Sequence, residues 1–422
     1  MIKSFYFHNF KSFTETELDI SDLTILIGSN ASGKTNVIEA LRILSESAAG
    51  QPLSIIMDGS RNTAGIIRGG SAGCPKMPRT DFELGCTWEG NDYKLIYRIK
   101  MNVGKGVQVV QESLDRTSDN KTEKIFSTTS LANYQLSVKC LSDKFDEYFR
   151  EISVSSYMSV LSQIIHLLPT DNNVLQQGRK DIETIVKVLR KIFFFDPKIE
   201  FMRNYVHLGE EQLQPNGSNL SAVLYELCET SINHKSIKNN ILSIIRNLPD
   251  NEIEDIAFVK TPLNDVTFLL KEKYNDFTIE AKRLSDGTLR CLAMLAVVYS
   301  EEPESIIVME DPDNGIHPSR IKSLLQAICR IQKERNLTLI ITTHNPVLMD
   351  VVDEDNAEGV VVCYRDQKDG SGKFLRMVDF PDYFKLAAKG SVGKLAQNDE
   401  FLKALNRPKK NFQEFYDWLE RE

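Results

Sequence analysis

Gly28-Ser29-Asn30-Ala31-Ser32-Gly33-Lys34-Thr35 follows the pattern G-x-x-x-x-G-K-[ST] without a mismatch. These residue types suit a triphosphate. Glycines let the backbone fold tightly, so that successive N–H groups point inward at phosphate oxygens. Lys34 supplies a mobile positive charge for the β- and γ-phosphates, and the Thr35 hydroxyl can ligate Mg2+. Asn36 follows, at the start of a stretch in which Val37, Ile38, Leu41 and Leu44 recur at helical spacing. A helix N-terminus therefore faces the anion. Thr24-Ile25-Leu26-Ile27, ahead of the loop, reads as a buried strand. A plain glycine turn is the alternative, and the strand before and helix after argue against it.

Three stretches far downstream carry further polar chemistry. Ser285, Asp286 and Gly287 open a segment in which Leu289, Leu292, Ala293, Ala296 and Val297 keep helical spacing. Ser285 is a good N-cap that leaves N–H groups free for an anion, although most such tripeptides are simply caps. Ile306 to Met309 form a hydrophobic strand that delivers Glu310 and Asp311 to its end. Carboxylates there suit Mg2+, a hard cation held by oxygen ligands. A solvated acidic turn through Pro312, Asp313, Asn314 and Gly315 is the plainer reading. Leu339 to Thr342 form another strand, with His344 just past its end.

The elements that must position these residues are spread over the chain. Asp81 to Asn102 reads as a hairpin turning at Glu89–Asp92, and Val107 to Val110 as a further strand. From about Leu131 to Asn247 helical patterns dominate, with Lys/Arg clusters at Arg179-Lys180 and at Lys187, Arg190 and Lys191. Interspersed acidic residues favour a solvated helix face over a DNA-facing one. The implied lobes are 1–130, 131–270, 271–352 and 353–422. The last reads as a hairpin and then helices with Phe401, Leu405, Phe412, Phe415, Tyr416 and Trp418, either core or a docking element. No sustained heptads appear, so no long coiled coil is expected.

Composition sets limits. At 422 residues and 41% hydrophobic content the chain can bury a large core and more than one domain. Its net charge of -8 argues against a protein that coats nucleic acid non-specifically. Seven scattered cysteines, none spaced C-x-x-C, read as reduced thiols without a zinc site. Neither a leader peptide nor a membrane span is visible, so a cytoplasmic protein is expected.

In their order, these motifs resemble the ATP-binding-cassette type of ATPase. More narrowly, the chain is similar to the SMC, RecF and OLD branch of bacterial DNA repair and phage defence. The resemblance rests on S-D-G-T-L-R at Ser285 to Arg290 and on P-x-N-G-hydrophobic-H-P at Pro312 to Pro318, and it extends from Met1 to about Val351. PtuA-like antiphage-defence ATPases are the nearest named resemblance. It implies an α/β fold: a P-loop ATPase head with a mixed sheet, an antiparallel β subdomain and an inserted helical region. It also implies ATP and Mg2+. By resemblance, Thr35, Glu310 and Gln163 would meet the metal, Asp311 would orient the attacking water, and His344 would contact the γ-phosphate. Gln163 has an equal alternative as a polar position on an amphipathic helix. Phe10-Lys11-Ser12-Phe13 matches an element near the base and ribose, which assigns Lys11, Ser12 and Phe13 to that side.

The departure lies in the carboxylates. Glu310 precedes Asp311, where the branch often has Glu-Glu, and the shorter Asp side chain implies slow turnover, since an ångström of misplacement can cost on the order of a hundredfold. Asp313 is the weaker alternative. In this architecture Ser285, Asp286 and Gly287 face the nucleotide of a second copy, so a homodimer with ATP in its interface is expected, alone or within a larger ring. After His344 no Glu…Asp-x-Asp cluster marks a nuclease, which points to a separately encoded effector, a nuclease or toxin, in antiviral defence. The alternatives are a RecF-like DNA-binding repair clamp and an ATP-bound scaffold with little turnover.

Overall fold

The computed structural model describes residues 1–61, 63–118, 121–144, 147–167, 173–246, 253–273, 277–350, 354–380, 390–397 and 400–405. The chain opens with β1 (Ile2–Phe10), β2 (Phe13–Asp19) and β3 (Leu23–Ile27), then α1 (Lys34–Ala48), α2 (Leu53–Asp58) and the short pair β4 (Gly59–Ser60) and β5 (Thr63–Ala64). A meander follows: β6 (Asp81–Glu89), β7 (Lys94–Asn102), β8 (Gln108–Ser118), β9 (Lys121–Ala132), β10 (Gln135–Lys144) and β11 (Glu147–Ser155). Next come α3 (Val160–Ile164), α4 (Asn173–Arg190), β12 (Ile192–Phe195), α5 (Ile199–Met202), β13 (Val206–His207), α6 (Leu220–Tyr225) and α7 (His234–Arg246). A small four-stranded sheet joins β13 to β14 (Ile253–Lys260), β15 (Asp265–Glu272) and β16 (Thr278–Glu280). The chain continues through α8 (Asp286–Ser300), β17 (Ile306–Glu310), α9 (Pro318–Arg335), β18 (Thr338–Thr343), α10 (Pro346–Met349), β19 (Val360–Arg365) and β20 (Gly372–Arg376).

A six-stranded sheet in the order β12-β17-β18-β3-β19-β20 forms the centre. Its first five strands are parallel and β20 closes it antiparallel. All five residues of β3 are buried, as a strand covered on both faces requires. Side chains alternate between two cores. Leu23, Ile25, Ile27, Ile307, Met309, Leu339 and Ile341 face α8 and α9. Leu26, Ile306, Val308, Ile340, Val361 and Cys363 face α1 and the second sheet. That sheet is eight-stranded, in the order β11-β10-β9-β8-β7-β6-β1-β2, and antiparallel throughout.

The lobes expected from the sequence differ from this arrangement. The boundary at 130 cuts β9, and the supposed helical lobe 131–270 gives β10 and β11 to the large sheet and β12 to the central one. Alternation in β10, with Leu136, Val138 and Cys140 buried and polar residues between, was the signal for a strand. Residues after 353 likewise supply β19 and β20 to the central sheet. Leu405 closes a helix of which Phe401 is buried in the core, and Phe412, Phe415, Tyr416 and Trp418 lie outside the described residues. Among the described residues no helix is long and apolar enough to cross a membrane.

Candidate functional site

The phosphate loop joins β3 to α1, and its two glycines have separate causes. A Cβ on Gly28 would lie 2.3 Å from the Cys363 carbonyl oxygen of β19, so the loop packs directly on its neighbouring strand. Gly33 caps α1 at φ 119, where an added Cβ would meet the Phe13 ring at 3.0 Å. Ala31 takes φ 64 at the loop apex, where its carbonyl accepts a bond from Arg365 Nε at 3.1 Å. Among the described residues no side chain caps α1, which leaves its first N–H groups for an anion. The Ser32 hydroxyl is buried there without a partner among the described residues. Lys34 Nζ donates to the carbonyls of Gly28 at 2.6 Å and Ser29 at 3.1 Å. Burial holds its pKa below the ordinary lysine value, while Cys363, Asp311 and Glu310 act the other way.

Strand order brings the distant motifs to this loop. β18 lies between β3 and β17, so its end emerges between the loop and the acidic pair. Thr35 Oγ1 donates to Glu310 Oε1 at 2.6 Å, across 275 residues of sequence. Asp311 adopts φ 42, a costly conformation for a non-glycine residue, and its N–H is held by the Thr342 carbonyl at 3.1 Å. Its carboxylate Oδ1 sits 3.1 Å from His344 Nδ1. Asp313 is buried, and its two oxygens accept from Thr343 Oγ1 at 3.3 Å and Asn345 Nδ2 at 2.8 Å. Such a carboxylate ties two strand ends together rather than meeting solvent.

The Ser285 segment is built differently. Ser285 Oγ accepts from Thr288 N at 3.2 Å and caps α8, whose sides are buried nearly all round. Gly287 is needed because a Cβ would approach the Gly315 carbonyl oxygen to 2.9 Å, in the turn after Asp311. Among the described residues, neither Ser285 nor Asp286 hydrogen-bonds the phosphate loop of its own chain.

Several expectations fail on geometry. Gln163 Oε1 accepts from Ser155 N at 3.0 Å, and its Nε2 donates to the carbonyls of Ser155, Met158 and Ser159. Its neighbour Ser162 approaches Gly50, beyond the C-terminal end of α1. The helix spans about 22 Å from Lys34 to that end, so Gln163 pins a turn and meets no metal at the loop. Lys11 Nζ is 2.5 Å from Glu39 and largely buried. Ser12 accepts from Asn36 Nδ2 at 2.8 Å, which engages the Asn36 side chain within the chain. Phe13 is fully buried against Phe7 and Phe374. All three are engaged within the chain: Lys11 with Glu39, Ser12 with Asn36 and Phe13 with the aromatic core. Conversely, Arg365 and Cys363 were missed, because nothing local in CYRDQ indicates that β19 lies beside β3.

A metal at Thr35 and Glu310 would have one hydroxyl and one carboxylate from the protein. Among the described residues no cluster of three or more His, Cys, Asp or Glu offers a fuller cage. That sparse oxygen set fits Mg2+, which takes its remaining ligands from phosphates and water.

Residues 1–349 match a family described as AAA ATPase domain. Among curated proteins, the energy-coupling factor transporter ATP-binding protein EcfA2 of Enterococcus faecalis is 27% identical over 173 residues, 39% of this chain and 56% of its own length. The protein of that name from Bacillus anthracis is 37% identical over 62 residues, 15% of this chain and 20% of its own. The chain thus spans about half or less of these relatives. Among solved structures, an SMC head bound to the C-winged helix domain of ScpA aligns with TM-score 0.48 and 14% identity, covering 89% of this chain and 96% of that one. The SMC head domain from Thermotoga maritima aligns with TM-score 0.42 and 12% identity, over 89% and 98%.

Proposed function

Because this chain belongs to the AAA ATPase domain family, we propose that its site works as an ATP-dependent clasp between two copies and that hydrolysis releases the clasp. ATP and Mg2+ are its nucleotide and metal. In this reading, loop N–H groups from Gly28 to Thr35, together with Lys34, hold the phosphates, and Lys34 exchanges its carbonyl partners for phosphate oxygens. Thr35 and Glu310 hold the metal, which would neutralise charge on the β- and γ-phosphoryl oxygens. Asp311 orients water and accepts its proton as the terminal phosphoryl group leaves ADP. His344, fixed through Nδ1 on Asp311, turns Nε2 to a terminal phosphoryl oxygen. The Ser285 cap and the N-terminus of α8 that it opens complete the nucleotide site of the other copy.

The observation that supports this reading is the Thr35–Glu310 contact of 2.6 Å, which brings a hydroxyl and a carboxylate from two distant motifs to one point where a metal and phosphates could share them. The dimer rests on Ser285, an exposed helix cap without a bond to its own loop. Light scattering on Asp311→Asn with saturating ATP tests it: a dimer is expected, and a monomer refutes the clasp. Further out, we read the clasp as the regulator of a separate effector, a nuclease or toxin, in bacterial antiviral defence, on the strength of the motif order alone. The basic last turn of α4, with Lys187 and Arg190, favours the DNA-clamp alternative. In the same helix, however, Arg179 is spent on Glu183, and Lys191 beyond it is spent on Glu302. Salt-sensitive, ATP-stimulated binding of duplex DNA by the purified chain would favour the clamp.

A further inference from the structure

Asp286 presents a problem for the site just described. It is the first residue of α8, next to Ser285, and its carboxylate is 65% exposed. The positive end of the helix favours that charge in the isolated chain. The same carboxylate would repel a triphosphate brought up by a second copy.

Arg203 answers it. The residue follows α5, anchored by Met202, which is buried in the core that α8 also fills. Its Nη2 lies 2.6 Å from Asp286 Oδ1, and its Nη1 donates to the carbonyls of Lys282 at 2.8 Å and Leu284 at 2.9 Å. One planar guanidinium thus neutralises the carboxylate and fixes the backbone entering Ser285. The fork geometry is specific to arginine, because an ammonium cannot reach in these fixed directions from one plane. Phe201 and Tyr205, on either side of Arg203, are exposed aromatics, the residue type that anchors protein interfaces.

We propose that Arg203 is a positioning residue for ATP-driven dimerisation: it cancels the Asp286 charge and sets the Ser285 cap so that the other copy's triphosphate can seat there. This rests on the clasp reading above. Its effect falls on association of two copies, since Arg203 belongs to the segment that meets the other nucleotide and not to the loop that holds the chain's own.

The test uses the full chain with Mg2+ and a non-hydrolysable ATP analogue. Dimerisation is followed by light scattering, and the chain's own nucleotide affinity by a fluorescent analogue at a protein concentration too low to dimerise. Arg203→Ala should raise the analogue concentration for half-dimerisation about tenfold, equivalent to about 1.4 kcal/mol, with own-site affinity unchanged. Arg203→Lys should recover only part of the loss. Arg203→Ala with Asp286→Asn should recover most of it, because the charge needing neutralisation is gone. A double variant no better than Arg203→Ala leaves only a carbonyl clamp and overturns the proposal, as does an Arg203→Ala chain that dimerises like wild type. Altered own-site affinity also counts against it, since that would mean general damage. If the wild-type chain itself stays monomeric, the clasp reading falls and this inference with it.

Discussion

Glu112, on β8 of the large antiparallel sheet, and the Glu310–Asp311 pair, at the end of the central one, are both carboxylates held in hydrogen bonds, yet they are held in opposite ways. Glu112 is fully buried and accepts from Tyr97 Oη at 2.9 Å, Ser159 Oγ at 2.8 Å, Val160 N at 2.7 Å and Leu161 N at 2.8 Å. It stitches β7, β8 and α3 into one body, and burial pushes its carboxyl up to about 7 against those donors. Glu310 is exposed and, among the described residues, accepts one side-chain bond, from Thr35, while Asp311 bonds one side of His344. A saturated carboxylate can only hold structure. One with spare lone pairs facing solvent can take up a metal or a proton, and the contrast separates scaffold from site more sharply than burial alone.

The comparison can be broken at four points. Lys34→Ala should have the largest effect, cutting kcat/KM for ATP by roughly 10³-fold, because the buried ammonium acts on developing phosphate charge where screening is weak; phosphate release reads it, with melting temperature nearly unchanged. Glu112→Ala should invert that pattern. It leaves two backbone N–H groups and two hydroxyls without their acceptor, so chemical denaturation should show a loss of about 3 kcal/mol, with turnover per folded molecule kept. If turnover falls and stability does not, the scaffold assignment is wrong.

Glu301 supplies the third point. It follows α8, lines a cavity of about 590 Å3 beside β12 and lacks such a set of donors among the described residues. Burial, aided by Glu302 and opposed by Arg335 and Lys191, pushes its carboxyl up to about 7 from 4.5. A raised folded-state value means the native chain holds the proton more tightly. The stability this contributes is full below pH 4.5 and is lost as pH rises through about 7. Glu301→Gln escapes that loss, so its stability relative to wild type should climb across this range, by about 3 kcal/mol at pH 8. A flat difference in denaturation midpoints across pH would refute it. Gln163→Ala should be the mildest change, costing about 1 kcal/mol for its turn bonds, with the Mg2+ concentration for half-maximal hydrolysis unmoved. A shift in that concentration would return Gln163 to the metal.

Some of this was legible before any fold was known. The phosphate loop, the cap at Ser285 and the strands ending at Glu310 and His344 are local signals, because backbone geometry and capping depend on residues within a few positions. Sequence alone therefore determined the groups on offer: a glycine-rich loop at a helix N-terminus, a hydroxyl and carboxylates of the type a hard cation takes, and a second, serine-capped helix end. Only the tertiary structure decided which groups use it. Strand order carried Thr35 to Glu310 and placed Arg365 against the loop apex. The packing of β1 and β2 drew Phe13 into the core and Lys11 to Glu39, and the turn after β11 consumed every polar atom of Gln163. Those outcomes depend on which distant segments become neighbours in a sheet, and hydrogen-bond capacity is allotted only once that contact exists.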